Sequence, residues 1–233
     1  MKLGRLSTFN RLEKINFVVT SIVRMLLVVA IGFAIIEGNY FLVFISSLTL
    51  ILTVLPIILE KKFKIDLPPE FEIIIVLFLY ASLFLGIGAD YYIKFWWWDI
   101  IWHGFGGVAL GLSGFLILFT LHKNGHLKTN FLMIAFLSFC FALALGSVWE
   151  IYEFSIDSTM GNNMQKARNL NVSLNCDTRL GVIDTMNDLI LDSFGALIAC
   201  SAGYIYLKNG SPPLFARLIR NFEKINPKLF QRD

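Results

Sequence analysis

The chain has 233 residues, 56% of them hydrophobic and 16% charged, with a formal net charge of +3. A soluble domain of this length has too little interior to hide so much apolar surface, so the composition excludes an ordinary water-soluble fold and predicts an all-α polytopic membrane protein. There is no basic-aromatic stripe, phosphate-cradling glycine loop or nucleophile elbow, so no nucleic-acid partner is expected.

In chain order, residues 1–14 form a basic amphipathic segment with Leu3, Leu6, Phe9 and Leu12 among basic groups. Six apolar stretches then meet the ~20-residue requirement for a spanning helix, near 15–36, 40–59, 71–89, 97–121, 130–152 and 182–207. The first is too long for a signal-peptide core and carries Arg24, so it is expected to stay in the mature protein. Glu37-Gly38-Asn39 makes a short turn, Pro56 falls in the last turn of the second span, and Pro68-Pro69 precedes the third. Trp96-Trp97-Trp98 is an aromatic anchor at a membrane interface. The long loop is 153–181. After Pro212-Pro213, residues 214–225 alternate basic and apolar groups as an interfacial helix within the tail 208–233. The whole of 1–233 is expected to be one integral membrane domain. Cys140, Cys176 and Cys200 form no paired motif and read as ordinary thiols.

Lysine and arginine set the orientation. Fifteen lie in the segments on the side of both termini and four on the opposite side, with Arg24 inside a span. The positive-inside rule therefore puts both termini in the cytoplasm of a prokaryotic plasma membrane. Asp99, His103, Glu150, Glu153, Asp184 and Asp188 then all fall within about two turns of the outer surface, at ~1.5 Å per residue.

Ionisable groups in hydrocarbon cost several kcal/mol unless paired, hydrated or metal-bound, so this convergence marks a candidate site. Asp99 and His103 are one turn apart, and a carboxylate there fixes the imidazole tautomer. Glu150 and Glu153 share a face with Gly146 below them. Asp184, Asp188 and Asp192 form a stripe that continues as Gly195, Ala199 and Gly203, while Gly107 and Gly111 extend the His103 face. Small residues at such spacing allow close helix approach. The geometry predicted is three helices tight at one end and splayed around an acidic cup at the other. Either a divalent cation (Mg, Mn or Zn) or protons shared between carboxyls would relieve the repulsion. The metal ligands expected are Glu150, Glu153, Asp184 and Asp188, with His103 as acid/base or ligand oriented by Asp99. Lys166, Arg168 and Arg179 are further candidate partners. Asp192 and Arg24, both near mid-membrane, are expected to pair with each other, and Gly107, Gly111 and Gly195 to pack the helices.

Four strings, Gly88-Ala89-Asp90-Tyr91-Tyr92, Trp98-Asp99-Ile100-Ile101-Trp102-His103, Gly146-Ser147-Val148-Trp149-Glu150-Ile151-Tyr152-Glu153-Phe154 and the run from Asp184 to Ala196, resemble the YjdF-like family of bacterial inner-membrane proteins. The resemblance spans roughly 70–207 and takes in Asn163-Met164-Gln165-Lys166. It implies the membrane fold and the choice of residues, and no particular reaction. More remotely, the His, Glu and D-x3-D-x2-G pattern is similar to VanZ-like proteins, which are associated with glycopeptide-antibiotic resistance. A glutamine near the glutamate and an arginine before the aspartate run, usual there, have no clean counterpart.

The leading expectation is a metal-assisted site at the outer leaflet acting on a lipid head group or envelope precursor, with membrane lipids and a small-molecule or lipid ligand as partners. The alternatives are a proton- or cation-coupled transport component, and a non-catalytic membrane factor that binds a protein partner. Against transport, the acids stop near mid-membrane and the halves show no inverted repeat.

Overall fold

The computed structural model describes residues 11–63, 65–167, 177–211 and 213–230. Among these, six helices or helix pairs are long and apolar enough to cross a membrane: Arg11–Ile36, Tyr40–Lys62, Pro69–Gly88, Trp96–Lys123, Phe131–Thr159 and Thr178–Asn209. The fold is all-α. Large aliphatic side chains such as Phe33, Ile36, Leu132 and Phe194 stand exposed on outward faces. That inversion is what hydrocarbon as the surrounding solvent permits. The chain divides into two units, one built from the first three spans with Asn221–Asn226, the other from the last three with Pro227 onwards.

In the first unit, α1 is Arg11–Ile36 and the second span is two helices, α2 (Tyr40–Leu52) and α3 (Leu55–Phe63). The break has a cause in Pro56, which lacks an N–H and clashes with the carbonyl one turn back. Arg24 of α1 repairs the break: Nη2 donates to the Thr53 carbonyl at 2.8 Å and Nε to Thr53 Oγ1 at 3.2 Å. This corrects the expected Arg24–Asp192 pair, because the polar groups freed by Pro56 offer Arg24 a partner within its own unit. The third span begins as α4 (Pro69–Leu79) and widens into a π-helix, Tyr80–Gly88. Gly86 lies directly against the Tyr92 ring there, so the widened turn has no room for a side chain. A small core of Val23, Leu27 and Val76 ties α1 to α4. A short helix, α5 (Tyr91–Lys94), closes the unit.

The second unit holds α6 (Trp96–Lys123), α7 (Phe131–Met160) and α8 (Thr178–Asn209). The observed helices outrun the expected spans, since α7 continues two turns past Tyr152 before Gly161 caps it at φ +68°. Glu153 and Asp157 are therefore helical. α6 and α8 cross with backbone nearly on backbone. A Cβ on Gly107 would meet the Asp192 carbonyl, one on Gly195 the Gly104 carbonyl, and one on Gly111 the backbone of Ala196 at 3.1 Å. Toward the other end, the ring of Phe115 fills the space over Gly203 and stacks edge-on against Phe215 of α9 (Pro213–Ile225). The apolar face of α9, with Phe215, Ala216, Ile219 and Phe222, is buried, while Arg217, Arg220 and Lys224 are exposed.

The Gly195→Val variant should be destabilised by about 1–3 kcal/mol through overpacking against backbone that cannot yield. Gly32→Val, in open space on α1, should stay within about 0.5 kcal/mol of wild type. Thermal unfolding in detergent separates the two.

Candidate functional site

Because α6 and α8 run antiparallel to α7, the start of α6, the end of α7 and the start of α8 meet at one end of the second unit. The carboxyls cluster there. Asp99, His103, Glu150, Glu153, Asp188 and Asp192 are all buried, and Asp184 is half-buried. Asp192 lies ~21 Å along α8 from its first residue, so the cluster reaches well into the bundle.

His103 sits among three aspartates. Its Nδ1 is 3.4 Å from Asp192 Oδ1, and its Nε2 is 3.6 Å from Asp99 Oδ1 and 3.9 Å from Asp188 Oδ2. A carboxylate on one ring nitrogen fixes the tautomer and turns the other nitrogen outward, the usual arrangement behind a metal-binding histidine. Here Asp192 holds Nδ1 and aims Nε2 between Asp99 and Asp188. One ligand atom from each of Asp99, His103 and Asp188 lies within 4.8 Å of the others. At a metal–oxygen distance of ~2.1 Å, opposed ligands stand ~4.2 Å apart, so this group could hold a small divalent ion. Gly146 gives Asp192 its place, since a Cβ there would meet Asp192 Oδ2 at 2.5 Å.

The two glutamates of α7 differ in their surroundings. Glu153 Oε1 accepts from the Trp149 indole at 2.9 Å. Glu150 is buried with neither oxygen in a well-formed hydrogen bond. Its polar neighbour is Thr185, whose hydroxyl accepts from Gln165 Nε2 at 2.9 Å and so keeps its own proton to donate.

Residues 162–167 form a strap across this end. The carboxylate of Asp157 accepts from Met164 N at 2.7 Å and from Gln165 N at 2.9 Å, fixing the strap to the last turns of α7. On the other side, Asp177 N donates to the Ala167 carbonyl at 2.7 Å, and Gly181 leaves room for Ala167. Lys166 takes a left-handed backbone, φ +49°, uncommon outside glycine. That conformation carries its ammonium onto the carboxylates of Asp99 and Asp184, the latter at 2.9 Å. Burial would lower the affinity of Lys166 for its proton, but the two carboxylates outweigh it and hold the group above its usual value.

The structure thus brings all the expected acids to one place but groups them differently. Of the four expected ligands, only Asp188 belongs to the tight group, which Asp99 and His103 complete. Asp184 faces Lys166 and Glu153 faces Trp149. Asp192, expected to pair with Arg24, orients His103 instead. Lys166 is engaged; Arg168 lies outside the described residues, and the backbone N–H of Arg179 bonds the Asp177 carboxylate. Asp157, Gln165 and Thr185 were missed. For Asp192 a signal existed, since it continues the one-turn stripe of Asp184 and Asp188 and faces the small residue Gly146. For Asp157 there was none, because its role depends on the path of an irregular segment, and Gln165 stood in the Asn163-Met164-Gln165-Lys166 string with no role attached to it.

Kinship follows from the sequence between 18 and 209, which fits the model of a family described as predicted membrane protein, DUF2238. The chain belongs to the DUF2238 family. That stretch contains every site residue named above. A protein of Thermotoga maritima, described as uncharacterized, is 25% identical over 178 residues, 76% of this chain and 78% of the relative. No solved structure matches the chain. The family and the six apolar helices make this a multi-pass membrane protein, and the bacterial relative fits a prokaryotic membrane.

Replacing Lys166 by Met should cost about 1–2 kcal/mol, discounted from a fully buried pair because the lysine is about a third exposed. Asp184→Asn added to it should restore part of the loss, with a coupling energy of at least about 1 kcal/mol in a double-mutant cycle. Additive losses would mean that the two side chains do not act together.

Proposed function

We propose that the acidic pocket is a divalent-cation site of an enzyme acting on a lipid head group or envelope precursor at the outer leaflet. One observation carries the reading: the Asp99, His103 and Asp188 ligand atoms converge while Asp192 backs the imidazole. In this reading Asp99, His103 Nε2 and Asp188 hold Mg²⁺, Mn²⁺ or Zn²⁺. Three protein ligands leave coordination positions open, as catalytic sites do. The cation supplies Lewis acidity and a nucleophilic water at neutral pH. Glu150, buried beside the Thr185 hydroxyl, would accept the proton that an attacking water gives up. Lys166 at the rim helps neutralise charge developing on the substrate, and Asp184 positions Lys166. The spaced motifs support kinship with the YjdF-like family, which leaves this assignment of roles open.

The outward orientation rests on the distribution of lysine and arginine. Transport is the weaker reading. On α8 below Asp192 the packed face is Gly195, Ala196, Ala199 and Gly203, which closes against α6 and offers no polar continuation among the described residues.

Full-length protein purified in detergent should bind about one Mn²⁺ or Zn²⁺ per chain, read by elemental analysis and calorimetry. His103→Gln and Asp188→Asn should each weaken binding at least ~10-fold, and Asp192→Asn by ~10–100-fold through loss of imidazole orientation. Glu150→Gln should keep the metal. If His103→Gln, Asp188→Asn and Asp192→Asn all bind as wild type does, the metal assignment is wrong. A C-terminal green fluorescent protein should fluoresce and a C-terminal alkaline phosphatase should stay inactive, as cytoplasmic termini require.

A further inference from the structure

A cavity of about 440 Å³ lies beneath the strap, between the end of α7 and the start of α8. That volume falls in the range of small-ligand clefts, ~300–1,000 Å³. It is separate from the carboxyl cluster but touches it through Thr185, which lines the cavity, neighbours Glu150 and follows Asp184 in the chain.

Its two walls differ in chemistry. The strap side presents amides and hydroxyls, from Asn162, Asn163, Gln165 and Ser158. The one acid among the described lining residues is Asp157, whose oxygens each accept one backbone N–H of the strap. Among the described lining residues none is a lysine or arginine, and the Lys166 ammonium is engaged by Asp99 and Asp184. A phosphate in this cavity would meet no lysine or arginine among the described lining residues, and it would lie beside the carboxyl cluster. The opposite wall is Phe154, Val182 and Met186, which are 59%, 62% and 51% exposed on spanning helices. Apolar side chains so exposed at the ends of such helices fit contact with the lipid chains at the membrane edge.

We propose that this cavity holds the neutral, hydroxyl- or amide-bearing head group of a membrane lipid, such as a sugar on a diacyl or polyprenyl chain. Hydroxyls of the head group exchange hydrogen bonds with Asn162, Asn163 and Gln165, and the first carbons of the chain lie on Phe154, Val182 and Met186. The site delivers its occupant to Glu150 and the Asp99–His103–Asp188 group, so the proposal rests on the reading of that group as the reacting centre for its purpose, though not for its binding.

The test is a native mass-spectrometric titration of the full chain with four probes: monoglucosyl diacylglycerol, phosphatidylglycerol and phosphatidylcholine with the same acyl chains, and free glucose. One glucosyl lipid per chain should bind at least ten-fold tighter than either phospholipid, with glucose alone far weaker. Met186→Trp fills the apolar side and Gln165→Leu removes an amide. Each should weaken glucosyl-lipid binding at least ten-fold while Mn²⁺ binding stays unchanged, and Met186→Trp should also keep the thermal midpoint. Should Met186→Trp fail to fold, Val182→Trp tests the same wall. Equal affinity for all three lipids, preference for phosphatidylglycerol, glucose binding as tightly as the lipid, or undiminished binding in the variants each overturns the assignment. If no Mn²⁺ binds but the glucosyl-lipid preference holds, the cavity stands and the reading of the acidic pocket falls.

Discussion

The second unit is organised around an excess of negative charge placed where water is scarce. Asp99, Asp184, Asp188, Asp192, Glu150 and Glu153 gather about one imidazole and one ammonium. In a medium of low effective dielectric such repulsion is large, and no helix packing tolerates it without compensation. The features around the cluster follow from that requirement. Asp192 and Asp188 bracket His103, Lys166 bridges Asp99 and Asp184, and Trp149 donates to Glu153. What these contacts leave over must be met by a bound cation or by protons held on the carboxyls.

Small residues set the distances at which this happens. Glycines at 107, 111 and 195 let α6 and α8 meet nearly backbone to backbone, which carries His103 of one helix to Asp188 and Asp192 of the other. Gly146 on α7 leaves the volume that the Asp192 carboxylate occupies. A side chain at any of these positions would open a gap of the size that separates a coordinating group from a scattered one. Packing and chemistry are therefore the same constraint here, because membrane helices lack a hydrophobic drive to associate and depend on close contact and polar contacts.

Much of this was legible in the sequence. The six spans follow from run length and hydropathy, and the Asp184–Asp188–Asp192 stripe follows from the helical period, so the acids could be brought to one end before any coordinates. The assignment of partners was less legible. The sequence puts Arg24 and Asp192 at one expected membrane depth, but depth does not specify azimuth, and the break in the second span gives Arg24 the Thr53 carbonyl. Likewise the sequence could show that Asp99 and His103 share a face, but not that Asp188, which lies 85 positions beyond His103, completes their group. Lys166 stood out as one of several basic residues in a polar loop and as the end of the Asn163-Met164-Gln165-Lys166 string, with no particular partner among the carboxylates assigned to it. Its place depends on a left-handed backbone at a non-glycine residue and on two backbone N–H groups held by Asp157, neither of which leaves a pattern in sequence.

The order of compensation through the cluster argues against purely structural polar glue. If these side chains served only to hold helices together, the best-paired charges should lie deepest, where an unpaired one is costliest. The opposite gradient is present. At the rim, Asp99 and Asp184 share a full ammonium supplied by the strap. Further in, Asp188 and Asp192 share a single imidazole at 3.4–3.9 Å, and Glu150 keeps both oxygens without a well-formed hydrogen bond. The acids nearest the rim are therefore the best compensated, and Asp188, Asp192 and Glu150 further in the least. Such an arrangement in an apolar surround fits either a bound cation or protons held on the carboxyls.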